Sequence, residues 1–184
     1  MSIARARAAE LHAAADATAA DNEGAFAEAL ALIAEAPRVF VLGAGRSGLA
    51  LRMTAMRFMH LGLAAHVVGE VTTPAIAAGD VLLVATGSGT TAGIVRAVDT
   101  AVEVGARVVA VTTAPDSPVG RAATVVLVVP APEKQDHAGV ASVQYAGGLF
   151  EQTVVLLGDA LFHTLWQRSG VPAEELWPRH ANLE

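Results

Sequence analysis

Thr86-Gly87-Ser88-Gly89-Thr90-Thr91 combines hydroxyls and glycines in a way that suits an anion. It follows the apolar run Val81-Leu82-Leu83-Val84-Ala85 and precedes a helix-like stretch from Ala92 to Val104. The spacing predicts a buried strand running into a turn that opens a helix. Glycines such as Gly87 and Gly89 let the backbone come close to a ligand. Unpaired N–H groups at a helix start favour negative charge. The hydroxyls of Thr86, Ser88 and Thr91 add donors for the same oxygens. The set suits a phosphate monoester held without lysine. An ordinary capped strand-to-helix turn would use similar residues.

A second glycine turn, Gly43-Ala44-Gly45-Arg46-Ser47-Gly48, matches G-x-G-x-x-G after a strand. Glu70 falls near where a ribose-binding acid would sit, so a dinucleotide is one reading. Three features weigh against it. About 37 residues precede the first strand, whereas a dinucleotide unit usually opens with the strand. The hydroxyl-rich turn has no counterpart in that fold. The remaining chain is also short for a hydride-transfer domain.

Glu151 lies in Gly147-Gly148-Leu149-Phe150-Glu151-Gln152, at the start of a long helix-like stretch. An acid there stabilises the helix dipole. In so apolar a setting it is equally placed to act as a general base. His60 stands near the end of the helix after the first strand, where it would cap the C-terminus or transfer protons. His180 belongs to the tail Arg179-His180-Ala181-Asn182-Leu183-Glu184. Such a tail is normally unordered, or could close a site on a neighbouring subunit. His66 reads as a core residue on a strand. His60 and His66 have loosely metal-like spacing, but no cysteine or matching carboxylate accompanies them, so no metal is expected. No serine sits in a Gly-x-Ser-x-Gly elbow, which leaves acyl chemistry unsupported.

The elements that must position these groups alternate between strand and helix. Ser2 to Glu35 is alanine-rich and reads as one or two helices broken near Asp21-Asn22-Glu23-Gly24. Strands are expected at Arg38–Gly43, Ala65–Val68, Asp80–Ala85, Arg107–Thr112 and Thr124–Val129. Helices are expected at Arg46–Leu61, stopped by Gly62, and at Ala92–Val104, stopped by Gly105. A short helical turn starts at Ser117-Pro118-Val119-Gly120. Pro130–Gly139 reads as a polar loop. A long helix spans Ala146–Ser169 and a short one Ala173–Arg179. Continuous Val/Leu/Ala strands alternating with helices are the mark of a parallel sheet covered on both faces. Ligands in such sheets bind beyond the carboxyl ends of the strands, where both glycine turns fall.

Composition sets further bounds. The 184 residues suit one domain, 1–184, with an N-terminal helical segment over 1–36 and an α/β core with C-terminal helices over 37–184. The chain is 53% hydrophobic with mean hydropathy +0.48, yet its apolar runs are too short and interrupted for a membrane span. The first twenty residues carry charge and lack a signal-peptide core, and there is no cysteine, which together fit a cytoplasmic protein. A net charge of −6 argues against a general nucleic-acid role. Lys134 is the only lysine, so a Walker-type phosphate loop is excluded.

Taken together, the segments resemble the sugar isomerase (SIS) domain superfamily, and within it the 6-phospho-3-hexuloisomerases. The two glycine turns and Ser117-Pro118-Val119-Gly120 point to the superfamily. Ala55-Met56-Arg57-Phe58-Met59-His60-Leu61-Gly62 and the tail Arg179 to Glu184 point to the hexuloisomerases. Val68-Gly69-Glu70 and Leu149-Phe150-Glu151-Gln152 match as well. Only the first helices are generic. The sequence departs from the family pattern at Thr90, where glutamate is frequent, and at Gln144-Tyr145-Ala146-Gly147, where Gln-Pro-Met-Gly is usual.

The resemblance implies an α/β three-layer sandwich of the flavodoxin-like type, with a five-stranded parallel sheet. It implies a homotetramer with sites at subunit boundaries, a sugar phosphate substrate and no cofactor. The family interconverts D-arabino-hex-3-ulose 6-phosphate and D-fructose 6-phosphate in the ribulose monophosphate route of formaldehyde fixation. Carried over by position, Ser47, Thr86, Ser88 and Thr91 would hold the phosphate, with close backbone approach at Gly45, Gly87 and Gly89. Glu151 would be the enolising base. His60 would assist proton transfer, Arg46 would lie near the enediolate oxygens or the phosphate, and His180 would close the site. Two alternatives share these turns: another phosphosugar isomerase, and a non-catalytic sugar-phosphate sensor that needs no base.

Overall fold

The computed structural model describes residues 2–132 and 142–183. Most of the polar loop expected over Pro130–Gly139 lies outside the described residues, as do Lys134, His137 and Glu184. Two helices open the chain, α1 (Ile3–Asp21) and α2 (Glu23–Glu35), broken at Asn22 where the sequence predicts a break. Next come β1 (Val39–Gly43), α3 (Arg46–Leu61), β2 (Ala65–Val67), β3 (Val81–Ala85) and α4 (Ala92–Glu103). They are followed by β4 (Arg107–Thr112), α5 (Pro118–Ala122), β5 (Val125–Val128), α6 (Gly148–Ser169) and α7 (Ala173–Leu176). A 3-10 turn, Trp177–Arg179, follows α7. Gly62 stops α3 at φ 99°, a left-handed conformation that glycine adopts without strain.

All strand pairs are parallel, in the order β2-β1-β3-β4-β5. Alternate side chains leave the sheet on opposite sides, and both sides are apolar. Val41, Leu83, Val109 and Leu127 pack toward α2, α3 and α6. Phe40, Leu82, Val84 and Val108 pack toward α4 and α5. Burial on both faces is why the strands read as continuous apolar runs. The chain leaves β1 toward β2 on one side and returns as β3 on the other. A crevice opens at such a reversal, beyond the carboxyl ends of β1 and β3. Among the described residues no helix is long and apolar enough to cross a membrane.

Two contacts fix the layers around that crevice. The first is the parallel packing of α3 on α6. Arg46 meets Glu151 at their N-terminal ends, Thr54 faces Gly158 midway, and the Arg57 guanidinium lies 5.8 Å from the Phe162 ring further on. A Cβ at Gly158 would overlap the Thr54 hydroxyl, so the glycine permits the close approach. The second is Asn22, which is buried at the break between α1 and α2. Its Nδ2 donates to the carbonyls of Thr18 at 2.6 Å and Val128 at 2.8 Å, and its Oδ1 accepts from the Val128 N–H at 2.7 Å. One side-chain amide thus pairs with the edge strand β5 as a neighbouring strand would, and anchors both N-terminal helices to the sheet.

Removing that amide leaves the Val128 N–H and carbonyl without their partner. Asn22→Ala is expected to cost about 1–3 kcal/mol of stability, read as a lowered urea midpoint. An unchanged midpoint would show that water replaces the amide at no cost.

Candidate active site

Both glycine turns stand side by side, because Gly43 at the end of β1 pairs in register with Ala85 at the end of β3. In the first, Gly43 and Gly48 press together: a Cβ on Gly43 would lie 2.7 Å from the Gly48 nitrogen. Gly45 has φ 58° and ψ −133°, open to glycine alone, and apart from its chain neighbours no described residue lies within 4 Å of where its Cβ would be. Ser47 follows in the first turn of α3 and is buried.

The second turn is pinned from below. The Gly87 carbonyl accepts from the Thr113 N–H at 3.2 Å and from the hydroxyls of Thr112 at 3.0 Å and Thr113 at 2.9 Å. The Gly89 carbonyl accepts from the Val119 N–H at 3.2 Å. Gly89 has φ 63°, and a Cβ there would overlap Ser117. Thr86 is buried, and its hydroxyl accepts from the Gly89 N–H at 3.2 Å, so it builds the turn from inside. Ser88 and Thr91 are exposed at the rim. Thr91 stands at the N-cap of α4 without using its side chain as a cap. The starts of α3 and α4 thus flank one rigid, hydroxyl-bearing crevice, an arrangement that stabilises an anion.

Glu151 comes to the same crevice from the far end of the sequence. It lies in the first turn of α6, is 6% exposed, and pairs with Arg46 through Oε2 and Nε. Its neighbour Phe150 faces the hydroxyl turn, the Phe150 ring lying 4.0 Å from where a Cβ on Gly87 would be. Arg46 is 68% exposed in its side chain, so most of the guanidinium faces outward over the carboxylate. A cavity of about 530 Å³ opens beside the pair, lined also by Arg7, Gln144 and Tyr145. Within it Ala146 is at φ 50°, a positive value rare outside glycine. The structure therefore brings together Arg46, Ser47, the hydroxyl turn and Glu151.

It does not bring His60 and His180 to them. His60 is on the last turn of α3, about 21 Å along the helix from Arg46 at 1.5 Å per residue. It is 3% exposed and its Nδ1 has no hydrogen-bond partner among the described residues. The tail is docked there instead of trailing away. The His180 ring stacks on His60 at 3.9 Å and leans on Trp177 at 4.7 Å. Arg179 donates from Nη1 to the His60 carbonyl at 2.9 Å, satisfying an end carbonyl of α3. Within one chain, then, the two histidines and Glu151 lie at opposite ends of the α3–α6 pair. His66 has its ring 5.2 Å from Phe40. Glu70 pairs with Arg52 at 2.7 Å on the surface. The sequence reading missed Arg7 and the docking role of Arg179. No local motif marks Arg7, and the tail motif that contains Arg179 says nothing of its partner, because the partner of each is over a hundred residues away.

Burial, then His180, then Arg57 hold His60 below the ordinary histidine value of 6.5. The unfolded chain therefore binds more protons than the folded one between that lowered value and 6.5. Stability from the neutral ring is complete above 6.5 and is lost as pH falls below it. The melting temperature is expected to fall more steeply on acidification in wild type than in His60→Gln, when both are followed from about pH 7.5 to about pH 5.5. Parallel curves would remove His60 as the titrating group.

Comparison with known proteins agrees with this fold. Residues 32–155 match the SIS domain family. The chain is 58% identical over 152 residues to the 3-hexulose-6-phosphate isomerase of Mycobacterium gastri, covering 83% of this chain and 76% of that one. It is 38% identical to the enzyme of the same name from Bacillus subtilis, over 80% of each chain. Among solved structures it superposes with a TM-score of 0.79 on a hypothetical protein from Methanococcus jannaschii, for which a 3-hexulose-6-phosphate isomerase function was inferred, at 26% identity over 88% of this chain and 87% of that one. With this match over the sheet, both glycine turns and Glu151, the chain belongs to the SIS domain family.

Proposed function

We propose that this protein is a 3-hexulose-6-phosphate isomerase, interconverting D-arabino-hex-3-ulose 6-phosphate and D-fructose 6-phosphate. The observation that carries the reading is Glu151: a buried carboxylate, paired with a cation, beside a hydroxyl-rich anion turn, in a chain 58% identical to a protein of that name. The reaction moves a carbonyl between C3 and C2, so one base need only carry a proton between adjacent carbons. Glu151 takes the proton from C2, leaving a 2,3-enediolate; the hydroxyl proton on O2 passes to O3, and Glu151 returns its proton to C3, so that the carbonyl now stands at C2. Arg46 stabilises the oxyanions that develop, because its outward guanidinium offers N–H donors above the carboxylate. Ser47, Ser88, Thr91 and the N–H groups around Gly45, Gly87 and Gly89 hold the phosphate. Thr86 keeps their turn in shape. The remote phosphate orients the reacting carbons. These steps need no cofactor. The reaction would follow a hexulose phosphate synthase in the ribulose monophosphate route, in the cytoplasm where sugar phosphates are retained.

His60 and His180 enter this reading through a second subunit. Each lies too far from Glu151 of its own chain, and α3 exposes Leu49, Met53, Met56 and Met59 along one side. Such a stripe at helical spacing suits burial against another copy. A homotetramer with sites at subunit boundaries would set the histidine pair of one protomer at the crevice of the next, where it would assist ring opening of fructose 6-phosphate.

The direct test couples purified protein to a hexulose phosphate synthase with ribulose 5-phosphate and formaldehyde, and follows fructose 6-phosphate. Wild type is expected to form product, and Glu151→Gln to lose several orders of magnitude in rate. Similar rates from both would keep the activity and discard the base. No product from folded wild type would favour the sensor. Mixing inactive Glu151→Gln with an inactive or impaired His60→Ala variant should restore activity if sites are shared. Failure to complement, in assemblies shown to exchange subunits, would place His60 outside the site.

A further inference from the structure

The cavity beside Glu151 has a wall that the mechanism above leaves unused. One side of that wall is α1, the part of the chain whose sequence is least distinctive. Arg7 projects from α1 into the cavity, and its Nη2 donates to Gln144 Oε1 at 3.3 Å. Gln144 is buried, and its Nε2 donates to Gln152 Oε1 at 3.1 Å. Its oxygen also packs on Gly148, where a Cβ would come within 3.2 Å. The amide is therefore held in one orientation, with Arg7 as one of its holders. A second bond ties α1 to the same stretch, from the Val143 N–H to Glu10 Oε1 at 3.1 Å.

The position of this wall says which part of a ligand it would meet. None of Thr86–Thr91 lines the cavity, although the turn faces Phe150, the neighbour of Glu151. The phosphate turn thus stands outside the cavity that Arg7 and Glu151 line together. A ligand with its phosphate on the turn and its reacting carbons at Glu151 would extend its unphosphorylated end into the cavity. That end is a polyol, rich in oxygens that accept hydrogen bonds. A guanidinium carries five N–H donors, more than Gln144 takes.

We propose, resting on the phosphosugar reading, that Arg7 is a specificity-determining residue: it holds the hydroxyl-bearing end of an open-chain sugar phosphate, both directly and through Gln144. The first helix then selects substrate length, while the hydroxyl turn binds the phosphate common to all candidates.

Two phosphate monoesters separate these roles. D-glucitol 6-phosphate is an open hexitol chain, and glycerol 3-phosphate lacks its three far carbons. Calorimetric titration of both into wild type, Arg7→Met and Arg7→Lys gives a preference ratio that does not depend on turnover. Wild type is expected to prefer the hexitol. Arg7→Met should lose roughly tenfold or more of that preference, as for loss of a charged hydrogen bond, while glycerol 3-phosphate binds as before. Arg7→Lys should fall between, keeping charge without the fork. An unchanged ratio in Arg7→Met, equal loss of both ligands, or no preference in wild type would each overturn the proposal. Absence of hexulose turnover by wild type would instead remove the isomerase reading and leave this ratio meaningful.

Discussion

The close, parallel contact between α3 and α6 is the constraint on which the remaining arrangement rests. Both helices begin at the carboxyl end of the sheet, and Gly158 lets them approach because Thr54 occupies the space a side chain would need. Their N-terminal ends then coincide, and Arg46 meets Glu151. The same alignment carries through to the other end, where Arg57 reaches Phe162 and the tail packs on His60. One packing geometry thus assembles the acid–cation pair and separates it from the histidine pair by most of a helix length. In the proposed reaction, a catalyst using all four groups would draw on two chains. The exposed Leu49, Met53 and Met56 on α3 fit that requirement.

The two glycine turns look alike in sequence and work differently. In the first, glycines serve close packing and an unusual backbone angle, so that α3 starts immediately after β1. In the second, the glycine carbonyls are bound by β4 and α5 while the hydroxyls on the rim face outward. Rigidity matters here because a preformed set of donors costs no ordering when the ligand arrives. Thr86 contributes to that rigidity from inside the turn.

The N-terminal helices show how little local sequence says about placement. Alanine-rich segments form helices on propensity alone, and the break at Asn22 follows from its neighbours. Nothing local predicts that Asn22 would pair with the edge strand, or that Arg7 would reach the pocket of Glu151.

What the sequence determined by itself was the set of elements and the chemistry available. Apolar strands such as Val81–Ala85 could only be buried on both faces, and Gly62 could only end its helix. The hydroxyl-rich turn between Ala85 and Ala92 was legible because strand, turn and helix signals are local and each has a steric cause. The resemblance to the hexuloisomerases was legible for the same reason, since its motifs are short and contiguous. Glu151 could be read two ways, as dipole partner or as base, because that choice depends on what packs around it. Tertiary structure decided that Arg46 stands beside it, that Gln144 and Arg7 wall the adjoining cavity, and that His60 and His180 lie elsewhere. Contacts between residues more than a hundred positions apart depend on the angle and register of packed helices, and no periodicity in the chain encodes that register.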